Sequence, residues 1–226
     1  MNLIYLVITM PPKKRREPRS LKRKGGNKQP KIKIVAFCEG KNTEPQFLRD
    51  FSIQKGNGLV DVQPIPAAGV PLTIVQKAVI RKKELEALAA KSNDPIDSKF
   101  QVWAVYDRDD HPNIPQAFDM ASANDIKVAY SNPCFELWPM LHFREQNASI
   151  HRHALQKDLG KEVKTYKAKG SKSVTLGSLK DDYATARQRA ININKRHKTV
   201  GADKPNPYTD VYLLFDEIIS NGKPSC

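Results

Sequence analysis

From Ile32 onward the apolar positions of the chain switch repeatedly between a continuous or two-residue period and a helical one. IKIVAF (32–37) is an apolar run interrupted only by Lys33, rich in β-branched residues and bounded by Gly40, the pattern of a buried strand. TEPQFLRDFSIQ (43–54) opens with Thr43 as a candidate cap and Pro45 in the first turn. Its Phe47, Leu48 and Phe51 fall on one helical face. VDVQPI (60–65) reads as a short strand. PLTIVQKAVIRKKELEALAAK (71–91) follows as a helix, with Pro71 at its start and Leu72, Val75, Val79, Leu85 and Leu88 near helical spacing. NDPID (93–97) breaks that helix, and FQVWAVY (100–106) is the next strand. PQAFDMASAND (115–125) reads as a helix and IKVAYS (126–131) as a fourth strand.

Four strands separated by helices predict an α/β fold: a Rossmann-like, mostly parallel sheet with right-handed crossovers and helices on both faces. SNPCFELWPMLHF (131–143) begins with a turn signal and continues with Phe135, Leu137, Trp138, Leu141 and Phe143 as a core helix. Beyond it the pattern changes to an appended helical lobe. HRHALQKDLGK (151–161) and VTLGSLKDDYATARQRAINI (174–193) have helical character. NPYTDVYLLFDEII (206–219) is a turn followed by a short amphipathic helix carrying Val211, Leu214, Phe215 and Ile218. The expected organisation is a disordered basic arm over 1–30, an α/β domain over 31–145, and a C-terminal helical extension over 146–226 that packs on it.

The arm follows from charge. The chain of 226 residues carries +14, and residues 11–33 hold eleven Lys or Arg against Glu17 alone, a net of +10. PPKKRREPRSLKRKGGNKQPK (11–31) has too few apolar residues to form a core, so it reads as a solvated tail or as a phosphate-contacting one. The opening MNLIYLVIT is too short to cross a bilayer, and basic residues follow it instead of preceding it. The shift in composition makes Met10 an alternative start to Met1. Three cysteines, Cys38, Cys134 and Cys226, give no disulfide framework, and a cytoplasmic, reducing setting is expected with no membrane association.

Candidate chemistry sits at strand ends. In a parallel sheet the ligand site lies beyond the carboxyl ends of the strands. Glu39 directly follows the first strand and Asp107 the third, with Asp109 two residues on, so all three are expected at one rim. Asp107 and Asp109 alternate with Arg108, which in extended chain points both to one side. Carboxylates gathered at one rim repel unless a cation joins them, and hard oxygen donors suit Mg²⁺ or Mn²⁺. The alternative is a capping role for Glu39 and ordinary turn contacts for the aspartates. Glu136, a carboxylate inside an apolar stretch at the end of the fourth strand, is either a further site member or half of a salt bridge. His142 lies off Glu136's helical face, and a zinc site built from Cys134, His111 and His142 matches no standard spacing.

CEGKNTE (38–44), DRDD (107–110) and SNPCFELWPMLHF together resemble the RloB-like family, whose N-terminal part is similar to the Toprim domain of topoisomerases, primases and OLD-family nucleases. The resemblance reaches NPYTDVYLLFDEI near the C-terminus. It implies that Glu39 is a metal ligand or general acid/base and that Asp107 and Asp109 hold Mg²⁺. It also implies that Glu44 helps with a second ion, so that one or two Mg²⁺ or Mn²⁺ ions serve phosphodiester hydrolysis. Glu136 is the additional acidic candidate. Asp110, His111 and His142 are supporting candidates around the acidic set. Lys41, Lys164, Tyr166, Lys167 and Arg187 are candidate nucleic-acid contacts, from the basic KTYKAKGSK stretch (164–172) and its neighbours. The expected function is a metal-dependent nuclease acting on DNA or RNA, in a restriction-linked or anti-phage setting and beside an AAA-type ATPase. The alternative is a non-cleaving sensor or adaptor subunit that binds nucleic acid or nucleotide. A homo-oligomer is left open.

Overall fold

In the computed structural model, which describes residues 30–108, 113–170, 172–199 and 204–223, the strands are β1 (Ile32–Cys38), β2 (Val60–Pro66), β3 (Phe100–Asp107) and β4 (Lys127–Asn132). They pair in parallel in the order β2-β1-β3-β4. A fifth strand, β5 (Tyr208–Thr209), joins β4 antiparallel through Ser131 opposite Thr209 and Asn132 opposite Tyr208. The sequence pattern does not show β5, because two residues have no period and Asn206-Pro207 reads as a turn. The expected arm falls on residues outside those described, apart from Pro30. Asp109, Asp110 and His111 also lie outside them.

Seven α-helices flank the sheet among the described residues. α1 (Thr43–Lys55) lies on one face, and α2 (Pro71–Ala89) and α3 (Ile114–Ala123) cover the other. Alternation along each strand sorts the core into two layers. Ile34, Ala36 and Cys38 of β1 with Trp103 and Val105 of β3 meet Phe47, Leu48 and Phe51 of α1. Val35 and Phe37 with Val102, Ala104 and Tyr106 meet Ile74, Val75 and Ala78 of α2 and Ala117 of α3.

The α1 face is also covered by α4 (Leu137–Met140), α5 (Arg152–Glu162), α6 (Tyr183–Thr199) and α7 (Tyr212–Asn221). Residues on both sides of position 145 share this layer: Phe215 of α7 stacks on Trp138 at 5.2 Å and meets Phe51 at 4.5 Å. Two expected helices are shorter than their patterns. The helix through Phe143 is one turn, α4, although backbone hydrogen bonds continue to Arg144. The stretch 174–193 holds a short 3-10 turn at Leu176–Ser178, and α6 begins only at Tyr183. There Asp182 Oδ1 accepts the Thr185 N–H at 2.8 Å, a local cap that starts a new helix.

Candidate active site

β1 and β3 are neighbours, yet the chain leaves β1 towards β2 on one side and leaves β3 towards β4 on the other. Such a reversal of strand order opens a crevice at the carboxyl edge between the two strands. Glu39 and Asp107 sit on either side of it. The Glu39 N–H donates to Val105 O at 2.9 Å, and the Glu39 carboxylate accepts the Asp107 N–H at 2.9 Å. Glu39 is thus held across the strand gap by backbone groups. Asp107 continues the Trp103 and Val105 side of β3, so its carboxylate emerges under α1 and α5 instead of under α2 and α3.

Two further carboxylates reach the same crevice. Glu44, in the first turn of α1, folds back over Gly40. A side chain at residue 40 would overlap the Glu44 carboxylate, which gives the Glu-Gly pair of CEGKNTE a physical reason. Glu136 immediately precedes α4 and is buried. Its Oε1 accepts the Tyr166 hydroxyl at 2.6 Å and the Gln156 amide at 3.3 Å, and Lys172 Nζ lies 4.0 Å away. Arg152 Nη2 approaches Asp107 Oδ2 at 3.7 Å. Glu39, Glu44, Asp107 and Glu136 line one cleft of about 340 Å³ with Lys41, Arg152 and Lys172.

Burial and mutual repulsion mark these groups. Burial pushes the Glu44 carboxyl up to about 7, reinforced by Glu136 and Glu39 and opposed by backbone N–H groups of Glu44 and Gly40. Asp107 is raised well above the usual carboxylate range by burial first, and then by Glu44, Glu136 and Glu39. The Cys134 thiol beside them is raised by burial and by Glu136 and Asp107.

The other sequence-predicted residues divide. Lys41 is exposed at the mouth of the cleft. Lys164 and Lys167 are exposed on the loop after α5 but do not line the cleft. Tyr166 is buried at 2% exposure with its hydroxyl on Glu136, so it is a support for a carboxylate and not a stacking surface for a base. Arg187 Nε lies 2.9 Å from both carboxylate oxygens of Asp216, and its guanidinium stacks over Tyr212 at 5.5 Å. It therefore fastens α6 to α7. His142 packs edge-on against Trp138 at 5.3 Å, and its Nδ1 lies 2.8 Å from Asp181 O. Burial lowers its pKa and keeps the ring neutral, in a place removed from the cleft lining. Asp109, Asp110 and His111 lie outside the described residues.

Arg152, Gln156 and Lys172 carry no sequence signal of their own. Their stretches have helical or basic character, and nothing in spacing tells which of several cations a loop brings back to a strand end 65 residues away. Thr43, read as a helix cap, instead donates its hydroxyl to Lys172 O at 2.8 Å and ties that loop to α1.

The model of the RloB-like protein family matches residues 34–218, which include all four cleft carboxylates. The chain belongs to the RloB-like family. No curated protein and no solved structure gives a match. The RloB-like region also takes in Tyr166, Lys172 and α7 as far as Ile218. No helix among the described residues is long and apolar enough to cross a membrane.

The donor chemistry of the RloB-like cleft fits a hard divalent cation. Four carboxylates supply oxygen donors, and Glu44 and Asp107 are raised by burial and then by their acidic neighbours, a repulsion that a cation would relieve. Among the described residues, no three such side chains already stand together as a complete ligand group.

Proposed function

We propose that this RloB-like chain is a metal-dependent nuclease that hydrolyses phosphodiester bonds of DNA or RNA. The observation that carries the reading is the convergence of Glu39, Glu44, Asp107 and Glu136 at the strand-order reversal between β1 and β3. These four would hold one or two Mg²⁺ or Mn²⁺ ions, joined by Asp109 as the family resemblance implies. Bound ions of this kind would supply charge stabilisation at the phosphate and would make a bound water more acidic. The chain's own groups fix the donors. The Asp107 N–H holds Glu39, Tyr166 and Gln156 hold one oxygen of Glu136, and Lys41 and Lys172 bring positive charge to the cleft for the phosphate.

Tyr166, the tyrosine whose hydroxyl reaches the cluster, is a poor nucleophile. Burial and the neighbouring Glu136 push its pKa far upward, and its hydroxyl is spent on Glu136. This favours water as the attacking group and hydrolysis over strand passage. A restriction-linked or anti-phage setting and an AAA-type ATPase partner belong to the same reading through the resemblance.

The test is cleavage of single-stranded DNA, duplex DNA and RNA including tRNA in Mg²⁺, Mn²⁺ and EDTA, beside Asp107→Asn. Cleavage should require metal and fall about 100-fold or more in the variant, while binding in EDTA persists. Binding with no cleavage in either metal, also with an ATPase partner present, would assign the chain to a sensor or adaptor role.

A further inference from the structure

The cleft that holds the carboxylates does not end at α1. A second recess of about 620 Å³ continues along the helix, lined by Lys41, Asn42, Gln46, Arg49, Lys172 and Ser173. Lys41, Asn42 and Lys172 are walls of both, so the two recesses adjoin. The lining of the second recess is three cations and three neutral hydrogen-bonding side chains, with neither an acid nor an apolar group.

The local sequence builds this face. Asn42, Gln46 and Arg49 are spaced by four and three residues and share one side of α1, while Phe47, Leu48 and Phe51 take the opposite side into the core. The Thr43 hydroxyl holds the backbone of Lys172 at 2.8 Å, which fixes the loop that forms the far wall. The charges are available. Among the described residues Lys41 and Arg49 form no ion pair, and Lys172 reaches Glu136 only at 4.0 Å. Arg49 Nη2 makes a 3.4 Å contact with Pro64 O, leaving most of its guanidinium donors for a ligand.

We propose that this recess is a phosphate-binding track for one strand of nucleic acid, with Lys41, Arg49 and Lys172 as its cationic contacts. The proposal rests on the nuclease reading for the direction of the track, since it delivers a backbone to the carboxylate cleft. Cations spaced along a groove and continuous with such a cleft match a run of phosphates. An acidic peptide is the alternative occupant, and competition by polyglutamate separates the two. Recesses of a few hundred Å³ have room for a single backbone.

The test uses the full chain in EDTA, where no cleavage occurs, with fluorescein-labelled single strands of DNA and RNA of one sequence and a matching duplex. Anisotropy gives Kd between about 50 and 300 mM salt. In the triple variant Lys41→Gln, Arg49→Gln, Lys172→Gln, the slope of log K against log salt should become shallower by about 2, for three contacts at about 0.7 each. Affinity for single strands should fall more than for the duplex. Charge-retaining replacements, Lys41→Arg, Arg49→Lys and Lys172→Arg, should restore the slope, which separates loss of charge from loss of fold. The basic arm is common to all variants and cancels. An unchanged slope would overturn the track, as would an equal change in Lys83→Gln, Lys91→Gln, Lys99→Gln, whose lysines lie outside both recesses. Competition by polyglutamate as effective as by unlabelled strand would overturn it too. A track without a nuclease gives the slope change but no cut product in Mg²⁺, and a nuclease without this track gives cut product with an unchanged slope.

Discussion

Two donors converge on a single oxygen of Glu136. Tyr166 and Gln156 both hydrogen-bond Oε1, with Lys172 Nζ more distant at 4.0 Å, so the orientation of the carboxyl group is set from one side. A buried carboxylate held in this way is a preorganised ligand, and its supporting residues should matter to the ion as well as to the fold. Tyr166→Phe removes one charge-assisted hydrogen bond and keeps the ring. It is expected to lower unfolding free energy by about 1.5–3 kcal/mol and to weaken Mn²⁺ binding about tenfold or more, read by denaturant unfolding and titration calorimetry. A stability loss with unchanged Mn²⁺ affinity would limit Tyr166 to packing. This residue also shows a limit of sequence reading: a tyrosine among lysines reads as a nucleic-acid contact until the fold turns it inward.

At the scale of elements, β5 is too short to close the edge of β4, and Asp210 completes the closure. Its N–H donates to Tyr130 O at 3.0 Å, its Oδ1 accepts the Tyr130 N–H at 2.6 Å, and its Oδ2 accepts the Tyr208 hydroxyl at 3.0 Å. Burial pushes its carboxyl up to about 6, partly offset by those hydrogen bonds and by Lys204. The folded state therefore holds the Asp210 proton more tightly than the unfolded chain does. Its stabilising effect is fully present below the unfolded value of about 3.9 and is lost as pH rises through about 6. Asp210→Asn keeps an acceptor for Tyr130 and carries no charge. Urea unfolding should show the variant gaining on the parent by on the order of 3 kcal/mol between pH 4 and 7, with no further gain above. A difference that stays flat over that range would show that Asp210 does not titrate with folding.

Over the whole molecule, the layer on the α1 face is a single core, and Phe215 is at its centre. Besides Trp138 and Phe51 it meets Phe47 at 5.5 Å and Tyr183 at 6.5 Å, so α7 and α6 are welded to elements from the first half of the chain. Phe215→Ala should cost about 3–5 kcal/mol. Unfolding should remain one transition by both near- and far-ultraviolet circular dichroism. Two separated transitions would show that residues 146–226 fold as an independent unit.

The alternation of strands and helices from Ile32 to Ser131 is legible in the apolar positions alone, because buried strands and amphipathic helices impose different periods. The sequence also placed Glu39 and Asp107 at one rim, since parallel strands must all end on the same edge. It named Glu44 and Glu136 as acidic candidates without saying how they meet. The order β2-β1-β3-β4-β5 was decided only in three dimensions, and that order makes the β1–β3 crevice the site. Also left to the tertiary structure were the return of Arg152, Gln156 and Lys172 to that crevice, the turning of Arg187 and His142 away from it, and the continuity of the cationic recess along α1. Local pattern fixes where a side chain lies on its own element. Only packing between elements distant in sequence determines which side chains share a cavity, because that choice depends on the summed contacts of the whole core.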